Sequence, residues 1–222
     1  MPGEWSCDHC DLSTVTATRQ DLLKRVRSHL LRQGGSILVH ESPDGGDHAA
    51  CVSHLSAYDS DETGVLCLTK TPAAKLEAYH REVGEWPFDF HVLTPSMDAS
   101  LPEGHVATAA DFAGGPLSVT EIEPTALDSV ARDINDSLTE LADRNDHVAV
   151  CIDTLTELVT TFGPKPIFKL VHALNGRFRG VGAFAHWHYA PDTLMDSTNH
   201  VVRELFQLLH DTRGDEATLQ TL

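Results

Sequence analysis

The chain has 222 residues, of which 33 are acidic and 16 are basic, and its formal net charge is −17. This length fits one domain, and the acidic excess disfavours a nucleic-acid partner because phosphates require a basic surface. No apolar run approaches the roughly 18 residues of a membrane span, and residues 1–10 lack the basic and apolar regions of a secretory signal, so we expect a cytoplasmic protein with no membrane partner.

The first segment in chain order, residues 1–17, is expected to be flexible. It carries a lone Cys-x-x-Cys pair, Cys7 and Cys10. A structural zinc site needs four ligands, so this pair would require further ligands from a distant histidine or a second chain. Metal binding, redox chemistry and a terminus without a chemical role all remain open for these two cysteines.

Hydrophobic spacing and turn residues predict the other elements. Helices are predicted over residues 18–32, 47–57, 72–84, 124–145, 166–179 and 193–211. Strands are predicted over residues 36–40, 64–69, 88–95, 117–123, 147–153 and 180–189. Between them, a loop is predicted over residues 96–115, and residues 213–222 are predicted to be a frayed tail.

This alternation of strands with helices indicates a parallel sheet. Residues 147–153 have almost no polar alternation, which is typical of a central strand covered on both faces. The sequence contains no internal repeat, low-complexity segment or obvious linker. We therefore predict a single three-layer α/β domain over residues 18–212, with a mostly parallel central sheet flanked by helices.

The acidic residues are scattered along the chain and form no tail. Aspartate supplies 20 of the 33, and only five of the 16 basic residues are lysine. Dispersed acid with few lysines suits a salt-saturated cytoplasm, where high ionic strength screens self-repulsion. We interpret the chain as a halophilic archaeal protein.

The segment ILVHESPDGGDHAAC, which begins at Ile37, has the outline of a phosphate-binding loop. An apolar strand leads through a turn-rich loop into the start of a helix. A P-loop requires Gly-x-x-x-x-Gly-Lys-Ser/Thr at this point. Here Gly45 and Gly46 are followed by Asp47, in place of the phosphate-binding lysine, and by His48, in place of the hydroxyl residue that binds Mg²⁺.

About 100 residues later, another apolar strand ends in IDTLT, which begins at Ile152. With the loop and the order of elements, this motif resembles the core of the RecA/KaiC-type ATPases, where such a strand often ends in Ile-Asp-Ser-Leu-Thr. The resemblance spans about residues 34–210 and implies a RecA-like fold. It also implies that Asp153 stands where active relatives position Mg²⁺ through water; a helix cap is the alternative role for this residue.

Side chains in the loop oppose nucleotide binding. Glu41 stands where the first P-loop glycine should be, and Glu41 and Asp47 would place negative charge against a polyanion. One like-charge pair at roughly 4 Å costs about 4 kcal/mol at an effective dielectric constant of 20. We therefore expect a degenerate nucleotide site with no catalytic residue and no bound cofactor. Its residues are Gly45, Gly46, Asp47, His48 and Asp153.

His186 and His188 are two positions apart on a predicted strand, so both face the same side of it. Ligands bind at the C-terminal edge of a parallel sheet, and Glu41, Asp47, His48 and Asp153 are predicted to lie there too. Such a cluster suits zinc or manganese, whereas the RecA/KaiC resemblance gives one of the two histidines the role of a γ-phosphate sensor. Two ordinary surface histidines are the alternative, and Cys151 is interpreted as core packing.

These features predict a non-catalytic RecA/KaiC-like domain, a pseudo-ATPase. Such a domain would act in signalling or regulation through protein–protein interaction, with a separate protein partner or as a homo-oligomer. Two other functions remain open. One is an atypical nucleotide-binding ATPase that uses Asp153 with ATP and Mg²⁺, and the other is a metal-dependent hydrolase, with zinc, built on His186 and His188.

Overall fold

The structure, a computed structural model, describes most of the predicted domain. The described residues are 15–16, 34–43, 48–56, 58, 63–83, 89–95, 117–123, 126–214 and 217–222, with only the backbone at 15, 16, 48 and 49. The predicted helix over residues 18–32, the predicted loop over residues 96–115, and the Cys7 and Cys10 pair lie outside these residues.

Helices and strands largely alternate through the described residues. The strands are β1 (Val15–Thr16), β2 (Gly35–His40), β3 (Thr63–Leu68), β4 (Asp89–Thr94), β5 (Leu117–Glu121), β6 (His147–Ile152), β7 (Phe184–Tyr189), β8 (Leu208–Asp211) and β9 (Thr218–Thr221). The helices are α1 (His48–Leu55), α2 (Pro72–Val83), α3 (Leu127–Arg144), α4 (Leu155–Phe162), α5 (Pro164–Gly180) and α6 (Asp196–Arg203), with a 3₁₀ turn at Pro191–Thr193. None of the helices in the described parts of the chain is long and apolar enough to cross a membrane.

All the strands join one sheet, in the order β1-β9-β8-β2-β7-β6-β3-β4-β5. The strands from β8 to β5 in this order run parallel, whereas β9 is antiparallel to β8 and β1 is antiparallel to β9. The predicted α/β architecture with a mostly parallel sheet is therefore confirmed. Because these strands are parallel, the strand ends that carry the predicted site residues meet at one edge of the sheet.

Helices cover the sheet on both faces. The larger core contains buried side chains from α3, α4, α5 and α6, and the smaller core contains side chains from α1 and α2. Alternation along β7 sends Trp187 and Tyr189 into the larger core and Phe184 into the smaller one, because successive strand residues face opposite sides. His186 and His188 share the parity of Phe184, so they point toward α1 and α2.

Two predictions for the C-terminal region are wrong. The helix predicted over residues 193–211 ends at Arg203, and β8 follows, paired in parallel with β2. The predicted frayed tail contains β9, which is antiparallel to β8. Pairing with neighbouring strands satisfies the backbone N–H and C=O groups of both segments, and it overrides the helical spacing of the local sequence.

Local differences also occur around α5. The strand predicted over residues 180–189 begins only at Phe184, because α5 continues to Gly180. Gly182, with φ of +69°, makes the turn between them in a conformation that favours glycine. A separate helix, α4, precedes α5 and was not predicted; the two are divided at Gly163, which has φ of +81°.

Candidate functional site

Acidic residues stand at the C-terminal ends of β2 and β6, and these strands flank β7 in the sheet. Glu41 follows β2 and Asp153 follows β6. The prediction that both lie at the edge reached by the end of β7 is therefore correct. Each acid, however, is already paired with a neighbouring side chain.

Asp153 is held by two side chains from neighbouring segments. The hydroxyl of Thr69, just beyond β3, donates a hydrogen bond of 2.6 Å to Oδ2 of Asp153. Nζ of Lys75, on α2, lies 3.3 Å from the same oxygen. Lys75 is buried although it is a lysine, so the ion pair neutralises both charges inside the protein.

The alternative role of Asp153 as a helix cap is wrong. Thr154 occupies the N-cap position of α4, and no side chain caps that position. The backbone N–H of Asp153 instead donates to the carbonyl oxygen of Leu68. Asp153 therefore joins β3, β6 and α2, and its contacts do not include the N-terminus of α4.

Glu41 contacts one of the two predicted histidines. Its Oε2 lies 2.7 Å from Nδ1 of His188, whose imidazole is buried. Residues Gly45, Gly46 and Asp47 lie outside the described residues, and His48 begins α1. The structure therefore locates two of the five residues of the predicted degenerate nucleotide site, His48 by its backbone and Asp153 in full.

His186 and His188 do lie together, but their neighbours are cysteines. With Cys51 and Cys151 they form what we call the four-donor cluster, in which one ligand atom of each residue lies within 4.8 Å of the others. Sγ of Cys51 lies 3.4 Å from Sγ of Cys151 and 3.3 Å from Nε2 of His186. All four side chains are buried, so the alternative of ordinary surface histidines is wrong.

Strand register brings the cluster together. Cys151 on β6 pairs directly with His186 on β7, which puts their side chains side by side on one face of the sheet. His188 lies two residues further along that face. Cys51 reaches the same point from α1, which packs over the strands as part of the smaller core.

A family model matches residues 34–209, and its description is a family of unknown function, DUF7504. The chain belongs to this family. A search of curated proteins found no match. The part that matches the family includes the whole four-donor cluster, Glu41, Lys75 and Asp153, and it leaves out Cys7, Cys10 and β9.

In this family member, burial and mutual contact determine how the cluster titrates. A hydrogen bond to Cys151 and burial raise the pKa of Cys51 well above its usual value, and burial raises the pKa of Cys151. Burial also lowers the pKa of His186 well below its usual value, and the neighbouring His188 lowers it further. At neutral pH the two thiols are therefore protonated and His186 is neutral, so an ion that binds here must displace thiol protons.

His188 is subject to opposing influences. Burial and the Lys75 ammonium both favour its neutral form, but the neighbouring Cys51 and Glu41 outweigh them and raise the pKa of His188 to about 9. Nδ1 of His188 donates to the carboxylate of Glu41, and Nε2 is buried and makes no hydrogen bond to any described residue. With a pKa of about 9, both nitrogens carry a proton at neutral pH, so a metal ion that binds Nε2 must displace this proton as well as those of the thiols.

Further histidines border the cluster. Nε2 of His54, on α1, lies 2.9 Å from Nδ1 of His210 on β8. The rings of His54 and His186 are 5.1 Å apart between centroids. The smaller core is therefore unusually polar where α1 meets β7 and β8, although it is enclosed by apolar side chains.

Sequence reasoning identified His186 and His188 but assigned both Cys51 and Cys151 to core packing. One signal was present: Cys151 and Asp153 are two residues apart at the end of a strand, the same spacing as in the histidine pair. Cys51 gave no comparable signal, because its distance from the other three donors depends on how α1 docks. Lys75 was missed because a lysine within an amphipathic helix ordinarily faces solvent.

A small cavity lies at the same edge, on the opposite face of the sheet. Its apolar lining comes from β3, α3 and α4, and an ion pair of 3.0 Å between Lys70 and Glu157 borders it. Its volume is about 120 Å³, well below the roughly 300–1,000 Å³ of an ordinary ligand pocket. This cavity does not have the size of a nucleotide site.

Proposed function

We propose that this member of the DUF7504 family is a non-catalytic RecA/KaiC-like domain. It acts as a regulatory or signalling module in the cytoplasm of a haloarchaeon, through contacts with a protein partner or with further copies of itself. The strand, loop and helix from β2 to α1 and the IDTLT motif at the end of β6 support the RecA-like identity.

The observation that carries the proposal is the ion pair between Lys75 and Asp153. In an active ATPase the corresponding acid must be free to position hydrated Mg²⁺. Here both the lysine and the Thr69 hydroxyl bind Oδ2 of Asp153. Releasing Asp153 to a metal would leave the Lys75 ammonium buried without its partner, which is strongly unfavourable.

Glu41 supports the same conclusion. Its carboxylate is engaged with His188, and it follows β2, the strand that leads into the loop. A triphosphate at this position would meet an anion that is already fixed in place, and no lysine follows Gly46 to offset the repulsion.

The hydrolase alternative receives less support from the geometry. A catalytic zinc site keeps one coordination position open to water or substrate. His186 and His188 are 0% and 1% exposed, respectively, and the other two donors in the cluster are also buried. A substrate would have to displace α1 before it reached these imidazoles.

Nucleotide binding tests the proposal directly. We expect ATP·Mg²⁺ and GTP·Mg²⁺, each at millimolar concentration in molar KCl, to leave the unfolding midpoint unchanged. A ligand present at 100 times its Kd would stabilise the fold by about 2.7 kcal/mol. A rise in the midpoint that Asp153→Asn abolishes would overturn the proposal in favour of an atypical ATPase.

The interaction role requires a second measurement. Light scattering in molar KCl reports self-association, and affinity capture from a haloarchaeal lysate followed by reconstitution with the purified partner reports a heteromeric complex. We expect one of the two assemblies at micromolar concentration. A chain that stays monomeric and reconstitutes with no captured protein would contradict the interaction role.

A further inference from the structure

We infer that the four-donor cluster is a closed structural Zn²⁺ site that ties α1 to β6 and β7. Cys51 and Cys151 supply two thiolates, and His186 and His188 supply two imidazole nitrogens. This inference does not depend on the proposed function, because a structural ion would hold the fold together in an enzyme or in an interaction module.

The donor set matches zinc chemistry. Two cysteines and two histidines form one of the common tetrahedral zinc sites, and thiolate with imidazole favours zinc over the oxygen-seeking Mg²⁺ and Ca²⁺. Zn–S bonds of about 2.3 Å and Zn–N bonds of about 2.0 Å imply S···S and S···N separations of about 3.8 and 3.5 Å in a tetrahedron. The observed separations of 3.4 Å between the sulfurs and 3.3 Å from Cys51 to His186 are close to these.

The unpaired Nε2 of His188 and the position of Glu41 provide independent support. Nε2 of His188 is buried and makes no hydrogen bond to any described residue. Buried polar atoms are nearly always paired, so an unpaired Nε2 beside two thiols indicates a missing ligand. Nδ1 of His188 contacts Glu41, and a carboxylate on the far nitrogen is the usual support of a zinc-bound histidine.

The charges around the cluster fit a dication. Two thiolates balance Zn²⁺, and the nearby Lys75 ammonium is balanced by Asp153. His54 and His210 are engaged with each other at 2.9 Å, and neither belongs to the four-donor cluster. The one charge left over is that of the Glu41 carboxylate, which contacts His188 and is 17% exposed to solvent.

Such an ion would secure the helix that follows the degenerate loop. α1 has only eight residues, and a helix of that length depends on tertiary contacts for its stability. In a nucleotide-binding relative, the phosphates would bind at the start of this helix. Here the metal would instead attach the helix to β6 and β7 of the sheet, through its bond to Cys51.

Elemental analysis and cobalt substitution test the site. Protein purified under reducing conditions from zinc-supplemented cells should contain one zinc per chain. Co²⁺ in its place should give thiolate charge-transfer absorption and the intense d–d bands of a tetrahedral ion. Cys51→Ser and Cys151→Ser should each lose the charge-transfer intensity and the stoichiometric metal.

Cys67 and the N-terminal pair provide matched controls. Cys67 is a buried free thiol that lies opposite Cys151 on β3 and does not belong to the cluster, so Cys67→Ser should keep both metal and spectrum. The double variant Cys7→Ser/Cys10→Ser should also keep them. Loss of the metal in that double variant, with retention in Cys51→Ser, would overturn the inference.

If the cysteine variants fail to fold, X-ray absorption at the zinc edge identifies the ligands of the ion instead. It is measured on the Cys7→Ser/Cys10→Ser protein, which keeps all four proposed ligands. Two sulfur and two nitrogen neighbours at about 2.3 and 2.0 Å are expected. A shell made of oxygen, or a folded protein that binds no zinc at micromolar concentration, would overturn the inference.

Discussion

Lys75 and Asp153 form an ion pair of 3.3 Å between α2 and the end of β6, and the lysine side chain is only 5% exposed. Lys75→Met would leave the Asp153 carboxylate enclosed without its cation. Breaking a buried pair in this way typically costs about 3–5 kcal/mol. We therefore expect a loss of that size in the free energy of unfolding, measured by denaturation with urea in molar KCl.

Lys70 provides the control for this prediction. It makes an exposed ion pair of 3.0 Å with Glu157 at the same edge of the sheet, and exposed pairs contribute under about 1 kcal/mol. Lys70→Met should thus change stability little. The double variant Lys75→Met/Asp153→Leu should recover much of the loss, because it removes both buried charges. Equal effects of Lys70→Met and Lys75→Met would contradict the importance of the buried pair.

Gly64 on β3 is expected to tolerate no side chain. A Cβ there would lie 2.8 Å from Nδ2 of Asn145 and 2.9 Å from Cδ2 of Leu141. Asn145 cannot easily shift, because Nδ2 donates to Asp89 and to the carbonyl oxygen of Leu141. Gly64→Ala should lower the free energy of unfolding by about 1–3 kcal/mol, the usual cost of overpacking.

Gly176 gives the opposite expectation for the same substitution. It lies within α5, is exposed, and would have no atom within 4 Å of an added Cβ. Gly176→Ala should therefore stabilise the protein by about 0.5–1 kcal/mol through helix propensity. Thermal and urea unfolding of both variants provide the measurement, and a destabilising Gly176→Ala would contradict the open space around this position.

His40 should make the protein less stable in mild acid. Burial lowers its pKa from 6.5 to about 4, against the opposing charge of Asp211. Below about pH 6.5 the unfolded chain binds a proton that the folded protein excludes, so the free energy of unfolding decreases as the pH is lowered. Each pKa unit corresponds to about 1.4 kcal/mol, and the loss reaches about 3 kcal/mol as the pH falls to about 4.

The variant His40→Phe isolates this effect. Both ring nitrogens of His40 are buried and make no hydrogen bond to the described residues, so the phenyl ring removes the titration without breaking such a bond. The free energy of unfolding of His40→Phe should be less dependent on pH than that of the wild type between about pH 7 and pH 4. Parallel curves for the two proteins would show that His40 retains its ordinary pKa.

Glu41 is expected to raise the affinity of the cluster for Zn²⁺, although it is not itself a ligand of the ion. Its carboxylate fixes the orientation of the His188 imidazole through Nδ1, and loss of such support typically weakens metal binding by about 10–100-fold. Glu41→Gln should retain one zinc per chain but give it up more readily to a competing chelator. Glu157→Gln, which alters an exposed carboxylate that pairs with Lys70, should leave the affinity unchanged.

Much of the fold follows from local patterns. The apolar spacing of α3 and the unbroken apolar run of β6 were sufficient to predict both elements, because each reflects burial against the sheet. β8 could not be predicted in this way, since its strand conformation comes from parallel pairing with β2, far away in the chain. β9 depends in turn on β8, which gives its backbone groups a partner.

By itself, the sequence determined the alternation of helices and strands, the lack of a P-loop lysine, and the pairing of His186 with His188 on one strand face. Those features depend on residue type and on short spacings, which local geometry converts directly into structure. Only the tertiary structure decided that Lys75 neutralises Asp153 and that Cys51 and Cys151 meet the two histidines. Those contacts join residues up to about 140 positions apart, and they are fixed by strand order and helix docking, which no local pattern encodes.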